Sequence, residues 1–302
     1  MVRLALVLCC WLLLASATPG QHFLELALDD ADHFSAEHYG GPADADVRVN
    51  ALVLLAMLGD GSTLRKGPQR APIKVATKWL RAQQDDRGRI GLRGDPDWLL
   101  DHAMATFALG ESARLSGYRL LTPNVLAAVK ALRRQLAVYR PTPDIEVRLW
   151  SLLAGLAAQH IDDQTVQAEG LALQQQLDAL PPTKIVGGRQ RAAAALFAEL
   201  SEPDETRLNA LPACWPEDVA ADPLQTFYAA ALVFRRGGKA WTTAQKQLAR
   251  ITKTQLQGGK WHGSWEPTGK LGDRTGRLGM TAINIMVLEL YYRYCHLGLI
   301  EW

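Results

Sequence analysis

The sequence predicts an all-α fold, a single α/α toroid of about six inner and six outer helices. Three observations carry that expectation. Segments apolar on nearly every face recur along the chain, and segments with one narrow apolar stripe fall between them. No run alternates apolar and polar residues as a half-buried strand would. The near-continuous apolar segments are residues 47–58, 101–115, 145–158, 191–200, 224–234 and 277–294, at a mean step of about 46 residues.

A helix apolar on all faces needs neighbours on all faces, so these six form the inner layer. The striped segments pack by one face and form the outer layer. Val125, Val129, Leu132, Leu136 and Tyr139 make one stripe at spacings of four and three. Val166, Gly170, Leu173, Leu177 and Leu180 repeat that rhythm, and Trp241, Ala244, Leu248, Ile251 and Gln255 follow it closely. An open helical array would finish in a polar cap. Here the last segment, with Met280, Ile283, Met286, Val287 and Leu290, is as apolar as the middle ones, which favours a closed ring. Residues 23–28 supply the outer helix that seals it, and Tyr291, Tyr292 and Tyr294 add ring-closing packing. The alanine run 192–195 lets neighbouring helices approach closely.

Residues 1–17 have the layout of a secretory signal peptide. Arg3 precedes an apolar run over residues 4–15, and Ala15-Ser16-Ala17 offers small residues for cleavage. The run falls short of the roughly 20 residues that span a bilayer. The expectation is an exported protein, periplasmic or extracellular, whose toroid domain covers residues 18–302 and has no membrane span. Two cysteines remain after cleavage, Cys214 and Cys295, either paired or present as two buried thiols. With 48% hydrophobic and 21% charged residues and a formal net charge of +2, the chain is neither disordered nor a basic binder of nucleic acid.

Two connectors look alike. Trp79 and Leu80 precede Gln84 and Gly88, and Ile251 precedes Gln255, Gly259 and Trp261. This resembles the QW-type repeat of the prenyltransferase and squalene cyclase superfamily. The resemblance implies a terpenoid cyclase-like toroid in which the Gln side chain and a stacked Trp tie an outer helix to the next turn. Ile90 stands where the first copy would have its Trp, and Arg250 replaces an aromatic in the second. Residues 101–106 and the stretch from Thr281 to Tyr294 also resemble exported bacterial proteins with this repeat whose function is unassigned.

The chemistries of that superfamily lack their residues here. Asp44-Ala45-Asp46-Val47 and Asp95-Pro96-Asp97-Trp98 each miss the last carboxylate of D-x-D-D. Neither Cys214 nor Cys295 has the Asp two residues ahead that a prenyltransferase zinc site requires, and neither begins a Cys-Gly-Glu-Gln thioester. The histidines fit no paired-ligand spacing, so no metal site, cofactor or catalytic residue is expected.

Two candidate sites remain. Asp95, Asp97, Trp98, Asp101 and His102 lie where a loop enters a buried helix, at the expected cavity rim. Three carboxylates near one imidazole would raise its pKa and make an acid–base or ligand-gripping cluster. The simpler alternative has Asp97 or Asp101 capping the helix and His102 satisfied within the packing. Trp261, His262, Trp265, Arg274 and Arg277 form the second candidate, aromatic faces with arginines that suit a sugar, a lipid headgroup or a peptide. Its alternative reading is that Trp261 and Trp265 staple the repeat. The leading expectation is a non-catalytic protein that binds a small ligand or a protein partner in or at its central cavity. The competing one is a diverged enzyme of terpenoid or glycan chemistry using rim carboxylates.

Overall fold

The computed structural model describes residues 18–28, 32–92, 94–139, 142–201 and 214–290. The expected signal peptide, Tyr291, Tyr292, Tyr294 and Cys295 lie outside the described residues; Cys214 is buried. The described chain is all-helical. Its α-helices are α1 (Pro19–Leu26), α2 (Asp46–Leu58), α3 (Arg70–Ala82), α4 (Trp98–Ser116), α5 (Thr122–Val138) and α6 (Ile145–Gln159). They continue as α7 (Gln164–Asp178), α8 (Gly187–Ser201), α9 (Pro223–Arg236), α10 (Gly238–Leu248) and α11 (Gly269–Glu289). Among the described residues no helix is long and apolar enough to cross a membrane.

The two textures read from the sequence become two packing roles, except in α8, where only Ala192, Ala193, Leu196, Glu199 and Leu200 are buried and the expected all-round covering of residues 191–200 is not met. Every residue of α2 from Val47 to Leu58 is buried, and so is every residue of α11 from Arg277 to Val287. In the striped helix α5 only the face carrying Val125, Val129, Leu132 and Leu136 is covered. The apolar helices pack in a cyclic order: α2 on α4, α4 on α6, α6 on α8, α8 on α9, α9 on α11, and α11 back on α2. The striped helices pack against them, with α1 on α11 and α2, α3 on α2 and α4, α5 on α4 and α6, α7 on α6 and α5, and α10 on α9. Glycine permits one close approach, between α6 and α7. A Cβ at Gly170 would stand 2.6 Å from the Gly155 carbonyl oxygen, so α6 and α7 touch backbone to backbone.

Packing does not leave an open centre between Phe107 of α4, Trp150 of α6 and Phe227 of α9. These side chains are each at most 1% exposed, and Trp150 lies 5.9 Å from Phe107 and 6.2 Å from Phe227, ring centre to ring centre.

Two elements differ from the periodicity. The stripe from Trp241 to Gln255 is not one helix: α10 ends at Leu248, and Ile251–Thr254 forms a separate 3₁₀ turn. The Ile251 carbonyl accepts the Trp265 indole N–H at 2.9 Å and the Thr254 hydroxyl at 2.8 Å, so it is taken by side chains and not by a helical amide. Helix α11 is broken at Gly276, whose φ of 60° and ψ of −161° are open essentially to glycine alone. A Cβ there would lie 2.5 Å from the Tyr39 carbonyl oxygen. The apolar stretch predicted from residue 277 therefore begins immediately after the break.

Gly276→Ala is expected to lower the unfolding free energy by at least the ~1–3 kcal/mol of a forbidden backbone conformation. Gly94→Ala, at a glycine with open space around it, should change stability little. Urea unfolding of the two variants checks this; equal stabilities would show that the break is not needed.

Candidate functional site

The N-terminal ends of α2 and α4 and the turn of α11 before its break, on helices that are neighbours in the cyclic order, gather one cluster of charge. Arg48 stands in the first turn of α2 and is 6% exposed. Its Nε donates to Asp101 Oδ1 at 2.5 Å, and its Nη2 lies 3.2 Å from Asp97 Oδ2. From the opposite side Arg274, just before the break in α11, places Nη2 3.1 Å from Asp97 Oδ2 and 3.4 Å from Asp95. Its Nη1 lies 3.8 Å from Asp44 Oδ2. Four carboxylates thus share two guanidinium groups. The carboxylates also flank the starts of α2 and α4, where the helix N-termini carry partial positive charge.

The members differ in exposure. The side chains of Asp95 and Asp101 are 5% and 4% exposed, whereas those of Asp44 and Asp97 are each 43% exposed and that of Arg274 is 33% exposed. The buried layer is an ion pair; the outer layer offers charges of both signs to solvent. Burial pushes the Asp101 carboxyl up to about 7, against the pull of Arg48 and with the help of Asp95 and Asp97.

His102 does not join the three carboxylates, contrary to the expected acid–base cluster. It points to the other side of α4, where its ring stacks on Trp98 with centroids 5.4 Å apart and its Nδ1 accepts the Ile90 N–H at 3.2 Å. Complete burial drives its pKa down to about 4, the reverse of the expected rise. An Nδ1 that accepts leaves the proton on Nε2, so the ring is a neutral packing element. Trp98 is part of the same support: its indole N–H donates to the Ile90 carbonyl at 3.0 Å. The capping reading is also corrected. Asp97 is the N-cap residue of α4, but its side chain accepts no helix N–H because the two arginines hold it. Asp101 is committed to Arg48.

The second candidate group separates. Arg274 belongs to the charge cluster just described. Trp265 is 4% exposed and staples its loop through Ile251. Arg277 donates to Ser264 Oγ, to the Trp265 carbonyl and to Glu266, and lies 4.8 Å from the centre of the Trp261 ring. Trp261 also meets Lys260 at 4.4 Å, Phe23 at 6.3 Å and Tyr39 at 5.8 Å. Its ring is therefore engaged by this chain's own cations and aromatics. His262 is exposed. Gln84 of the first connector links the end of α3 to the start of α5: it donates to the Asn124 carbonyl at 2.9 Å and accepts from the Asn124 side-chain amide at 2.7 Å.

Two members of the cluster, Arg48 and Asp44, were not among the candidate site residues expected from the sequence. Arg48 is the one charged residue between Val47 and Leu58, a signal in itself, since a lone charge in a buried helix needs a partner. Asp44 was visible only as part of a failed motif. A separate buried network joins Glu146, Trp150 and Tyr228: the Trp150 indole donates to the Tyr228 hydroxyl at 2.8 Å, which donates to Glu146 at 3.2 Å. Burial pushes the Glu146 carboxyl up and Tyr228 well above its ordinary range. Among the described residues no group of three His, Cys, Asp or Glu side chains is placed to hold a metal ion. No protein family model, curated protein or solved structure matches the chain.

Two neighbours on one helix carry opposite pH dependences. Asp101 binds its proton near pH 7 when folded and near 3.9 when unfolded, so its contribution to stability falls as pH rises through that window. His102 loses its proton near pH 4 when folded and near 6.5 when unfolded, so its contribution rises over almost the same range. Between pH 4.5 and 6.5, Asp101→Asn should become more stable with rising pH relative to the parent. His102→Asn, which keeps an acceptor near the Ile90 N–H, should become less stable. Urea unfolding at the two pH values measures both, and identical slopes in all three proteins would contradict the assignment.

Proposed function

We propose that the chain is an exported, terpenoid cyclase-like α/α toroid that binds a polar small ligand or partner at one rim and performs no catalysis. The observation that carries this reading is the pairing at the rim. Asp95, Asp97 and Asp101 face arginines, whereas acid catalysis by a carboxyl dyad would need them to face one another across a cavity. The half-exposed Asp44, Asp97 and Arg274 remain as the contact surface. Aromatic packing between Phe107, Trp150 and Phe227 favours binding at the rim over binding deep in the ring.

The export reading rests on the signal-like layout of residues 1–17, and the start of α1 is compatible with it. Thr18 and Gln21 form a reciprocal capping box, with the Thr18 N–H donating to Gln21 Oε1 at 3.0 Å and the Gln21 N–H donating to Thr18 Oγ1 at 3.3 Å. Cleavage after Ala17 would leave that cap intact as the first residue of the mature chain.

The competing reading, a diverged enzyme of terpenoid or glycan chemistry, draws on Glu146. A carboxyl raised by burial beside a tyrosine hydroxyl is a group that could act as a general acid.

Mass spectrometry of the exported protein should give Thr18 as its first residue; retention of residues 1–17 would refute export by cleavage. Incubation with squalene, farnesyl diphosphate or chitotetraose should give no product. Product that disappears in Asp97→Asn, Asp101→Asn or Glu146→Gln protein would establish the enzyme reading instead.

A further inference from the structure

A second charged surface lies on the outer wall, away from the Asp–Arg rim. Helix α3 presents Arg70, Lys74, Lys78 and Arg81, and Arg65 joins them from the preceding loop, around a groove of about 550 Å³. All five side chains are exposed, and no carboxylate lines the groove. In a chain of net charge +2, five cations on one wall amount to marked segregation of charge.

Three of the arginines are held in place without being neutralised. Arg65 donates to the Gly117 carbonyl at 3.1 Å, Arg70 to the Leu64 carbonyl at 3.2 Å and Arg81 to Asn124 Oδ1 at 3.0 Å. Among the described residues none of the five makes an ion pair within 4 Å; Asp32 acts on Lys78 from farther away. Leu64 and Leu121 at the groove floor are buried in the core, so the apolar surface open beside the cations is that of half-buried Tyr118 and of Leu120, which is 65% exposed.

We propose that this groove docks an extended segment of a partner protein that carries acidic residues at alternate positions and apolar residues between them. The spacing supports this occupant. Arg70, Lys74 and Lys78 follow one another by four residues, a rise of about 6 Å per step along a helix. Alternate side chains of an extended chain repeat every ~6.5 Å and share one face. Three acidic side chains therefore meet three cations in register, while the intervening residues turn away from that row, toward Tyr118 and the exposed Leu120. A lone phosphate would engage only part of a cationic row roughly 16 Å long. The proposal is independent of the rim reading, since it involves none of the rim residues.

The test uses fluorescence anisotropy with labelled Ser-Glu-Leu-Glu-Val-Glu-Leu-Ser. A peptide of the same composition with its three glutamates adjacent serves as the register control. The alternating peptide should bind at 50 mM salt, at least tenfold more tightly than the control. Lys74→Glu/Lys78→Glu should weaken it at least tenfold, and Lys74→Gln/Lys78→Gln by less, with unchanged helical circular dichroism. Equal binding of the two peptides, or binding unaffected by charge reversal, would overturn the proposal. So would tighter binding of pyrophosphate or of phosphatidylglycerol vesicles, which would mark a phosphate site.

Discussion

A helix that is apolar around its whole circumference must be covered around its whole circumference, and this chain contains several. Any row of such helices leaves two uncovered ends, and each exposed end would place a few hundred Å² of apolar surface in water at about 25 cal/mol per Å². Bringing α11 back onto α2 removes both ends together. The seam is where the chain invests its specific contacts. Gln21 of α1 donates to Glu289 at 3.0 Å, and Phe23 of α1 packs on Tyr39 and Trp261. Arg274 reaches Asp95 across 179 residues of sequence.

The charge cluster follows from that closure. Asp44, Asp95 and Asp97 come from the entries to α2 and α4, and become a set only when α11 supplies Arg274. The break at Gly276 divides two arginines three residues apart between two tasks: Arg274 serves the charge cluster, and Arg277 secures the loop of Trp265. Arg48 supplies the buried half, where removing one partner would strand a charge at a cost of about 3–5 kcal/mol. The outer layer of the cluster is less constrained, and there Asp44, Asp97 and Arg274 face solvent.

Much of the helical organisation was legible because it rests on local periodicity. Residues 145–158 were read as a buried helix and α6 runs over Ile145–Gln159; the start at residue 277 coincides with the end of the glycine break. The roles of side chains were less legible. His102 and Asp101 are adjacent in sequence, yet successive helical residues point about 100° apart, so one faces Arg48 and the other packs behind Trp98. Arg274 sits beside tryptophans in sequence but answers carboxylates from another part of the chain, a long-range pairing that no spacing rule contains. Trp261 and Trp265 looked alike on the page; only the fold separates a buried staple from a ring already occupied by Arg277 and Lys260.

The central claim is that the apolar helices form one closed cooperative unit. Native-state amide hydrogen exchange tests it most directly, because an open array frays from its ends whereas a closed ring has none. Slowly exchanging amides of α2, α6 and α11 should share one opening free energy, equal to that of global unfolding. Amides of α2 and α11 that open several kcal/mol more easily than those of α6 would mean that the ring is not closed.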